Sequence, residues 1–184
     1  MTLTSWNIRG LGNKSRGHTA GSLVIRYQSQ CLAIQETMVK EVSLPVLNEI
    51  WKHYAFGSIQ VEASGRSGDI LSIWRTDVFS LIMSWKRKHW IETVMRYHPS
   101  NIIVLIVNIY ALHLENKKTI VWSQLSNMAL KWLGLVYFMG DFNVVCHPEE
   151  RLRETVDPIS ISNFNDFISN ASLFVQPLTN SDLT

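Results

Sequence analysis

The chain has 184 residues, of which 46% are hydrophobic, a formal net charge of +2 and a pI near 8.6. This length and apolar content suit one domain with a substantial core, and the charge excludes the strongly basic balance that would by itself indicate a nucleic-acid partner. No apolar run approaches the ~20 residues that span a bilayer, and no signal-peptide pattern opens the chain, so we expect an intracellular protein that does not enter membranes. Cys31 and Cys146 lie in apolar stretches and are expected to be reduced core thiols.

The first half of the chain predicts a β-α-β opening followed by a meander of strands. "LTSWNI" and "CLAIQET" are typical of short strands, and a helix through Leu23, Val24 and Tyr27 is expected between them, after the polar, glycine-rich "NKSRGHTAGS". A short helix is predicted around "PVLNEIWKH", where Pro45 suits the first turn. "YAFGSIQVEA", "DILSIWRT" and "FSLIMSW" then predict three strands separated by turns.

The second half predicts a hairpin, a helix, a strand and a last helix. "HWIETVMRYH" and the β-branched "NIIVLIVNIYAL" are typical of paired strands joined at "HPSN". Apolar residues at helical spacing predict an amphipathic helix from Asn116 to Trp132, then "LVYFM" predicts a strand, and Phe164 to Ala171 mark the last helix. The fold class is therefore α/β, with mixed or mainly antiparallel sheets.

Polar side chains follow four of these predicted strands directly. They are Asn7, Glu36, Tyr110, and the pair Asp141 and Asn143 of "GDFN". Asn and Asp also commonly end strands, and Glu is often only the first exposed residue, so each of them alone fits a structural role. Because strand ends gather on one rim of a sheet, their combination favours a functional site.

The motifs "SWNIRGLG", "AIQET", "RSGDILSIW", "NIYA" and "GDFN", in this order, resemble those of the endonuclease/exonuclease/phosphatase superfamily. The similarity is greatest to the endonuclease domains of plant non-LTR (LINE-type) retrotransposons and covers nearly the whole chain. It implies a single, partial domain over residues 1–184 and a four-layer α/β sandwich of two mixed, mainly antiparallel sheets flanked by helices. It also implies a DNA partner and a nuclear rather than cytoplasmic location.

The resemblance further implies a divalent-metal phosphodiesterase site, and the residue types suit that chemistry. Glu36 is expected to hold Mg²⁺, with Mn²⁺ as a substitute, because one carboxylate plus waters is an ordinary Mg²⁺ shell. Asn7 is expected beside Glu36, where its amide can orient the shell or donate to a phosphate oxygen. Asp141 is expected to orient and deprotonate the attacking water.

Four further residues are candidates for contacts with the phosphate. Asn143 and Tyr110 offer an amide and a phenol hydroxyl to phosphate oxygens. Arg9 and Arg66 are weaker candidates, since surface arginines are usually only solvated. Gly140 is expected to give the "GDFN" turn its backbone freedom, and Phe142 to pack inward and anchor it.

The chain departs from the family pattern at several points. Asp69 stands where the pattern has a second glycine, Leu112 stands in place of a proline, and the closing Asp-His motif has no counterpart. His113 and His147 do not occupy the position of the family histidine and are expected to be surface residues. We therefore expect a C-terminally truncated domain whose unpaired sheet edge promotes self-association.

Three functions are compatible with this pattern. The first is a metal-dependent DNA endonuclease of retrotransposon origin with impaired activity or none. The second is a catalytically dead remnant that keeps weak affinity for nucleic acid. The third is a metal-dependent phosphatase of the same superfamily.

Overall fold

The structure, a computed structural model, describes residues 1–12, 14–52, 54–62, 69–112, 114–150 and 157–176. These residues form two compact units. The first comprises Met1–Tyr110 and Gly134–Asp141, and the second comprises Ala111–Leu133 and the chain from Phe142 onward. None of the described helices is long and apolar enough to cross a membrane.

The first unit contains two four-stranded mixed sheets. Sheet A has the strand order β1-β2-β4-β3 and sheet B the order β5-β6-β7-β8. The strands are β1 (Leu3–Asn7), β2 (Cys31–Gln35), β3 (Phe56–Val61), β4 (Ile70–Arg75), β5 (Phe79–Lys86), β6 (Trp90–Tyr97), β7 (Ile102–Tyr110) and β8 (Leu135–Asp141). Only β1–β2 and β7–β8 are parallel pairs, so the expectation of mixed, mainly antiparallel sheets is confirmed.

The two sheets pack face to face around an apolar interior. β2 and β4 are almost fully buried because their residues are apolar on both faces of sheet A. Between the sheets, Cys31 and Trp74 pack with residues of sheet B such as Met95 and Val104. Cys31 is a buried free thiol, as expected, and its burial raises its pKa to about 12.

Two helices of the first unit cover the outer face of sheet A. They are α1 (Lys14–Arg26) and α2 (Leu44–Ile50), and the core between them and the sheet includes Val24, Ile34 and Ile50. The sequence predicted that α1 would start after the glycine-rich stretch, whereas the helix begins at Lys14 and includes Gly17 and Gly21. A Cβ on Gly21 would lie 2.8 Å from the backbone oxygen of Glu49, so the glycine permits close packing of the two helices.

The second unit is helical in its described part. α3 (Glu115–Lys131) and α4 (Pro158–Asn170) pack through Trp122, Phe164 and Phe167, with a short 3-10 helix at Pro148–Glu150. The side chain of Asp157 caps α4 by accepting a hydrogen bond from the backbone N–H of Ile159. Both helices were predicted from the spacing of their apolar residues.

Candidate functional site

The strand ends of the first unit bring four of the predicted site residues together. Asn7, Tyr110 and Asp141 are the last residues of β1, β7 and β8, and Glu36 follows β2 directly. The parallel register pairs Asn7 with Gln35 in sheet A and Tyr110 with Asp141 in sheet B. Because both parallel pairs end at the same edge of the sandwich, residues far apart in the chain lie within hydrogen-bonding distance.

Asn7 links the two carboxylates of this cluster. Its Nδ2 donates to Glu36 Oε1 at 2.9 Å and to Asp141 Oδ2 at 2.6 Å, while its Oδ1 accepts from the backbone N–H of Arg9 at 3.2 Å. Both hydrogens of the amide group are therefore directed at carboxylates. This geometry suits the orienting role predicted for Asn7 better than donation to a phosphate.

Tyr110 completes the cluster from sheet B. Its hydroxyl donates to Glu36 Oε1 at 2.9 Å, and the residue is only 6% exposed. Burial raises the pKa of Tyr110 far above its ordinary value, and the hydrogen bond to Glu36 and the charges of Glu36, Asp141 and Asp69 raise it further. The phenol therefore stays protonated and acts as a donor over the whole physiological range of pH.

The backbone around Glu36 is held in unusual conformations. Glu36 and Met38 have φ of 55° and 53°, and Arg9 in the neighbouring loop has φ of 51°. Non-glycine residues adopt this left-handed region at an energetic cost, and such residues concentrate at functional sites. The surrounding structure must therefore compensate for the strain that presents Glu36.

Backbone hydrogen bonds join the two loops that carry Asn7 and Glu36. The N–H groups of Gly10 and Leu11 donate to the carbonyl oxygens of Glu36 and Thr37 at 2.7 and 2.6 Å. Arg16 reaches from α1 to the same loop, and its Nη1 donates to the carbonyl oxygen of Ile8 at 2.9 Å. The two loops are thus joined through their backbones beyond the ends of β1 and β2.

Gly140 has the role that the sequence predicted for it. It has φ of 142°, and a Cβ at this position would lie 2.0 Å from the carbonyl oxygen of Ile109, its partner on β7. Only glycine fits there, and the close approach of the two backbones positions Asp141 at the strand end.

In the second unit, Phe142 and Asn143 are both anchored. The ring of Phe142 packs 5.3 Å from that of Phe164 and 6.0 Å from that of Trp122, which confirms the inward packing expected for it. Asn143 has φ of 50°, and its Nδ2 donates to the carbonyl oxygen of Ala111 at 2.6 Å. The buried Lys118 donates to the carbonyl oxygen of Asn143 at 2.8 Å. The phosphate contact expected of Asn143 stays a prediction.

The remaining candidates do not join the cluster in the part of the chain that the structure describes. Arg9 is exposed, and only its backbone contacts Asn7. Arg66 and His113 lie outside the described residues. His147 is exposed, as expected of a loop histidine.

A second polar group, which the sequence reading missed, lies deeper between the sheets. Gln35 and Asn108 are 0% and 1% exposed, and Gln35 Nε2 donates to Asn108 Oδ1 at 2.6 Å. Asn108 Nδ2 donates in turn to the carbonyl oxygen of Leu71 at 2.9 Å, and Ser5 exchanges longer hydrogen bonds with Gln35. The signal was a polar residue inside each of two apolar runs, "CLAIQ" and "IIVLIVNIY".

The donor set of the strand-end cluster fits a hard divalent cation. Glu36 uses Oε1 for both of its hydrogen bonds, and none of the described residues donates to Oε2. Nowhere in the described ranges do three or more His, Cys, Asp or Glu side chains come close enough to hold one ion together. Mg²⁺ does not need such a group, because it is usually bound by one or two carboxylates and keeps several waters.

The fold is similar to that of several solved structures. An AP endonuclease from Leishmania major matches with a TM-score of 0.70 and 11% identity, over 91% of this chain and 65% of that one. An AP endonuclease from Archaeoglobus fulgidus matches with a TM-score of 0.70 and 13% identity, over 92% of this chain and 70% of that one.

Other similar structures have different activities in their names. A mannosyl-6-phosphatase from Bacteroides thetaiotaomicron matches with a TM-score of 0.61 and 15% identity, over 89% of this chain and 69% of that one. An endonuclease/exonuclease/phosphatase family protein from the same organism matches with a TM-score of 0.57 and 15% identity, over 78% of this chain and 62% of that one. No protein-family model and no curated protein matches the chain. The expected fold class is thus confirmed, and the chain spans about two thirds of the length of these structures.

Proposed function

We propose that this chain carries the site of a divalent-metal-dependent phosphodiester hydrolase that acts on DNA. The observation that carries the proposal is the amide of Asn7, which joins Glu36 to Asp141 across the two sheets. A pair of half-buried carboxylates fixed by one neutral amide is suited to binding a cation and a water molecule side by side. The names of the two AP endonucleases with the same fold support DNA as the substrate.

Each residue of the cluster has a proposed role. Glu36 would hold the ion, Mg²⁺ or Mn²⁺, and the ion would supply a Lewis acid for the phosphoryl oxygens. Asp141 orients a water molecule and accepts its proton as the water oxygen attacks phosphorus. The bond from phosphorus to the leaving oxygen breaks in the same displacement, and the released alkoxide takes a proton from solvent. Asn7 keeps the two carboxylates apart in their separate roles, and Tyr110 fixes the orientation of Glu36 by donating to Oε1.

The contacts to the phosphate are proposed from the sequence. Asn143 follows Asp141 by two residues, and its amide is the proposed donor to a phosphate oxygen. Arg9 and Arg66 are the proposed cationic contacts to the DNA backbone, and they would supply the salt-dependent part of binding. We further propose a retrotransposon origin, because "WNIRGLG", "IQET" and "GDFN" have the form found in plant elements of that kind.

Binding without cleavage is the second candidate function. The groups described in contact with Glu36, the amide of Asn7 and the phenol of Tyr110, are both neutral. Cleavage that relies on neutral donors at the reacting phosphate would be slow, since members of a catalytic set do not replace one another. A phosphatase activity is the third candidate, and the mannosyl-6-phosphatase with the same fold supports it.

Self-association through a sheet edge is also proposed. β5 is an edge strand of sheet B, and Leu81, Met83 and Trp85 on it are exposed. An edge with unpaired backbone groups and apolar side chains is a template for a second copy of the chain. Sedimentation velocity over a range of concentrations distinguishes this from a monomer.

Metal binding and nicking of supercoiled plasmid together test the proposed function. We expect the wild-type chain to bind Mn²⁺ at one site, and Glu36→Gln to weaken binding at least about tenfold. Nicking in Mg²⁺ should fall by about 10²-fold or more in Asp141→Asn. The controls are Glu41→Gln and Asp166→Asn, which change exposed residues that form none of the hydrogen bonds described for the cluster.

The outcomes separate the candidates. Nicking that depends on Mg²⁺ and on Asp141 supports the endonuclease. Mn²⁺ binding that depends on Glu36, with nicking equal in wild type and Asp141→Asn, supports the second candidate instead. Release of phosphate from sugar phosphates without nicking supports the third. A chain that binds no Mn²⁺ contradicts the metal site altogether.

A further inference from the structure

Asp69 is a buried carboxylate at the same edge of sheet A as the proposed site. It precedes β4 and is 3% exposed. Its Oδ1 is fully buried and has no hydrogen-bond partner among the described residues. An unpaired carboxylate oxygen inside a protein is costly, so a group in this state calls for a compensating partner.

The strand register brings Asp69 and Glu36 to the same end of the β2–β4 ladder. In the antiparallel pair of β2 and β4, Gln35 is opposite Ile70, and the next residues outward are Glu36 on one side and Asp69 on the other. The backbone N–H of Met38, in the loop after Glu36, is close enough to the Asp69 carboxylate to lower its pKa. The start of β4 therefore lies beside the loop that presents Glu36.

Among the described residues, the charge that acts on Asp69 is the negative charge of Glu36. Burial raises the pKa of Asp69, the nearby backbone N–H of Met38 lowers it, and the charge of Glu36 raises it again. Neither Asp69 nor Glu36 forms a salt bridge with any Lys, Arg or His in the described part of the chain. Two carboxylates that face one strand-end loop without a cation form an environment that favours a divalent ion.

We propose, on the basis of the function proposed above, that Asp69 is an outer-shell carboxylate of the divalent-cation site and raises the affinity of Glu36 for the ion. It does so by its negative charge at the same end of the ladder as Glu36. Asp69 is not a direct ligand of the ion, because its side chain is buried and its Oδ1 is closed to solvent.

The alternative is that Asp69 is protonated and serves only to fill its buried position. The substitution Asp69→Asn separates the two roles, since an amide has nearly the same size as a carboxyl group but carries no charge. If the role is only structural, metal affinity is unchanged. If the charge matters, affinity falls although the protein stays folded.

The test measures Mn²⁺ affinity by titration calorimetry in wild type, Asp69→Asn, Glu36→Gln and the control Asp166→Asn. We expect Asp69→Asn to weaken Mn²⁺ binding by about 10-fold or more, in the range typical of outer-shell partners. We also expect metal-free Asp69→Asn to melt at a higher temperature than the wild type, and saturating Mn²⁺ to raise its melting temperature less. Circular dichroism checks folding, and Asp69→Ser replaces Asp69→Asn if the amide is not accommodated.

The outcomes distinguish this inference from the proposed function. Wild-type affinity in Asp69→Asn, together with loss of binding in Glu36→Gln, overturns the role of Asp69 and leaves the metal site intact. Equal affinities in wild type and Glu36→Gln, or no binding at all, overturn both. Weaker Mn²⁺ binding in Asp69→Asn and Glu36→Gln, with unchanged binding in Asp166→Asn, supports the metal site and the role of Asp69.

Discussion

Three strands of the first unit each contribute to two polar groups that differ in almost every physical property. The inner group is formed by Ser5, Gln35 and Asn108, and the strand-end group by Asn7, Glu36 and Tyr110 together with Asp141. The positions on β1 and β7 are two residues apart, so the alternation of a strand places both members on one face. The same scaffold therefore holds both groups.

The two groups differ in charge and in how completely their polar atoms are hydrogen-bonded. The inner group is neutral, and its two amides, Gln35 and Asn108, are buried and bond to each other and to backbone carbonyls, while Ser5 is exposed. The strand-end group is partly exposed and carries two carboxylates, and Glu36 forms no salt bridge with a lysine or arginine of the described residues. A closed neutral network stabilises a unique packing, whereas an open anionic group costs stability and is suited to binding.

Gly140→Ala should have the largest effect on stability, because it disrupts the pairing of β7 with β8, and these strands carry residues of both groups. A Cβ there would lie 2.0 Å from the carbonyl oxygen of Ile109 and would require φ near 142°. We expect a loss of about 3 kcal/mol or more in the free energy of unfolding, measured with urea. Gly12→Ala is the matched control, since nothing lies within 4 Å of that position. Equal stability of the two variants would contradict the backbone role of Gly140.

Asn108→Ala should separate the groups, because it affects the inner one alone. It removes the shorter of the two hydrogen bonds that the buried amide of Gln35 donates, leaving the one to Ser5, and it removes the side-chain donor to the carbonyl oxygen of Leu71. We expect the free energy of unfolding to fall by about 2 to 3 kcal/mol, while Mn²⁺ affinity in the folded protein stays within about threefold. Asn127→Ala, at an exposed position of α3, is the control. A variant that keeps its stability but loses metal affinity would reverse our assignment of the two groups.

Tyr110→Phe should have the smallest effect and a characteristic dependence on pH. The folded protein raises the pKa of Tyr110, through burial first and then its bond to Glu36, so the protonated phenol is favoured. The stability that the neutral phenol contributes is fully present below the pKa of ~10 that tyrosine has in the unfolded chain. It is lost as the pH rises above that value. We expect the free energy of unfolding of the wild type to exceed that of Tyr110→Phe by about 1 kcal/mol at neutral pH. This difference should shrink above pH ~10.

Urea unfolding at neutral and alkaline pH measures this gap, with the exposed Tyr54→Phe as the control. A gap that widens at alkaline pH would mean that the hydroxyl of Tyr110 is not held in its neutral form by the fold.

The sequence predicted the strands and the strand-end residues because both follow from apolar runs that stop at polar side chains. Glu36 after "CLAIQ" and Asp141 after "LVYFM" needed no more than that pattern and the rule that strand ends share a rim. Which residue bonds to which could not be predicted, since Asn7 and Asp141 are 134 positions apart and meet only through packing of one sheet on the other.

Features that depend on tertiary packing were the ones missed. Asn108 is a polar residue in a β-branched run, and nothing local distinguishes a buried amide that is fully paired from a strand that ends early. The helix α1 begins before Gly17 and Gly21, because the benefit of close packing against α2 outweighs the poor helix propensity of glycine. Asp69 was noted only as a departure from the family pattern, whereas the structure buries it at the same end of the β2–β4 ladder as Glu36.

The hydrogen bonds from Gly10 and Leu11 to the loop of Glu36 have a consequence for the thermodynamics of recognition. Two loops that are already joined through their backbones lose little conformational entropy when a ligand arrives, so more of the contact energy remains as affinity. The strained φ of Glu36 is then a cost of folding and not a cost of each encounter with a ligand. Binding at this edge should accordingly resemble docking to a rigid surface, with little ordering of the chain.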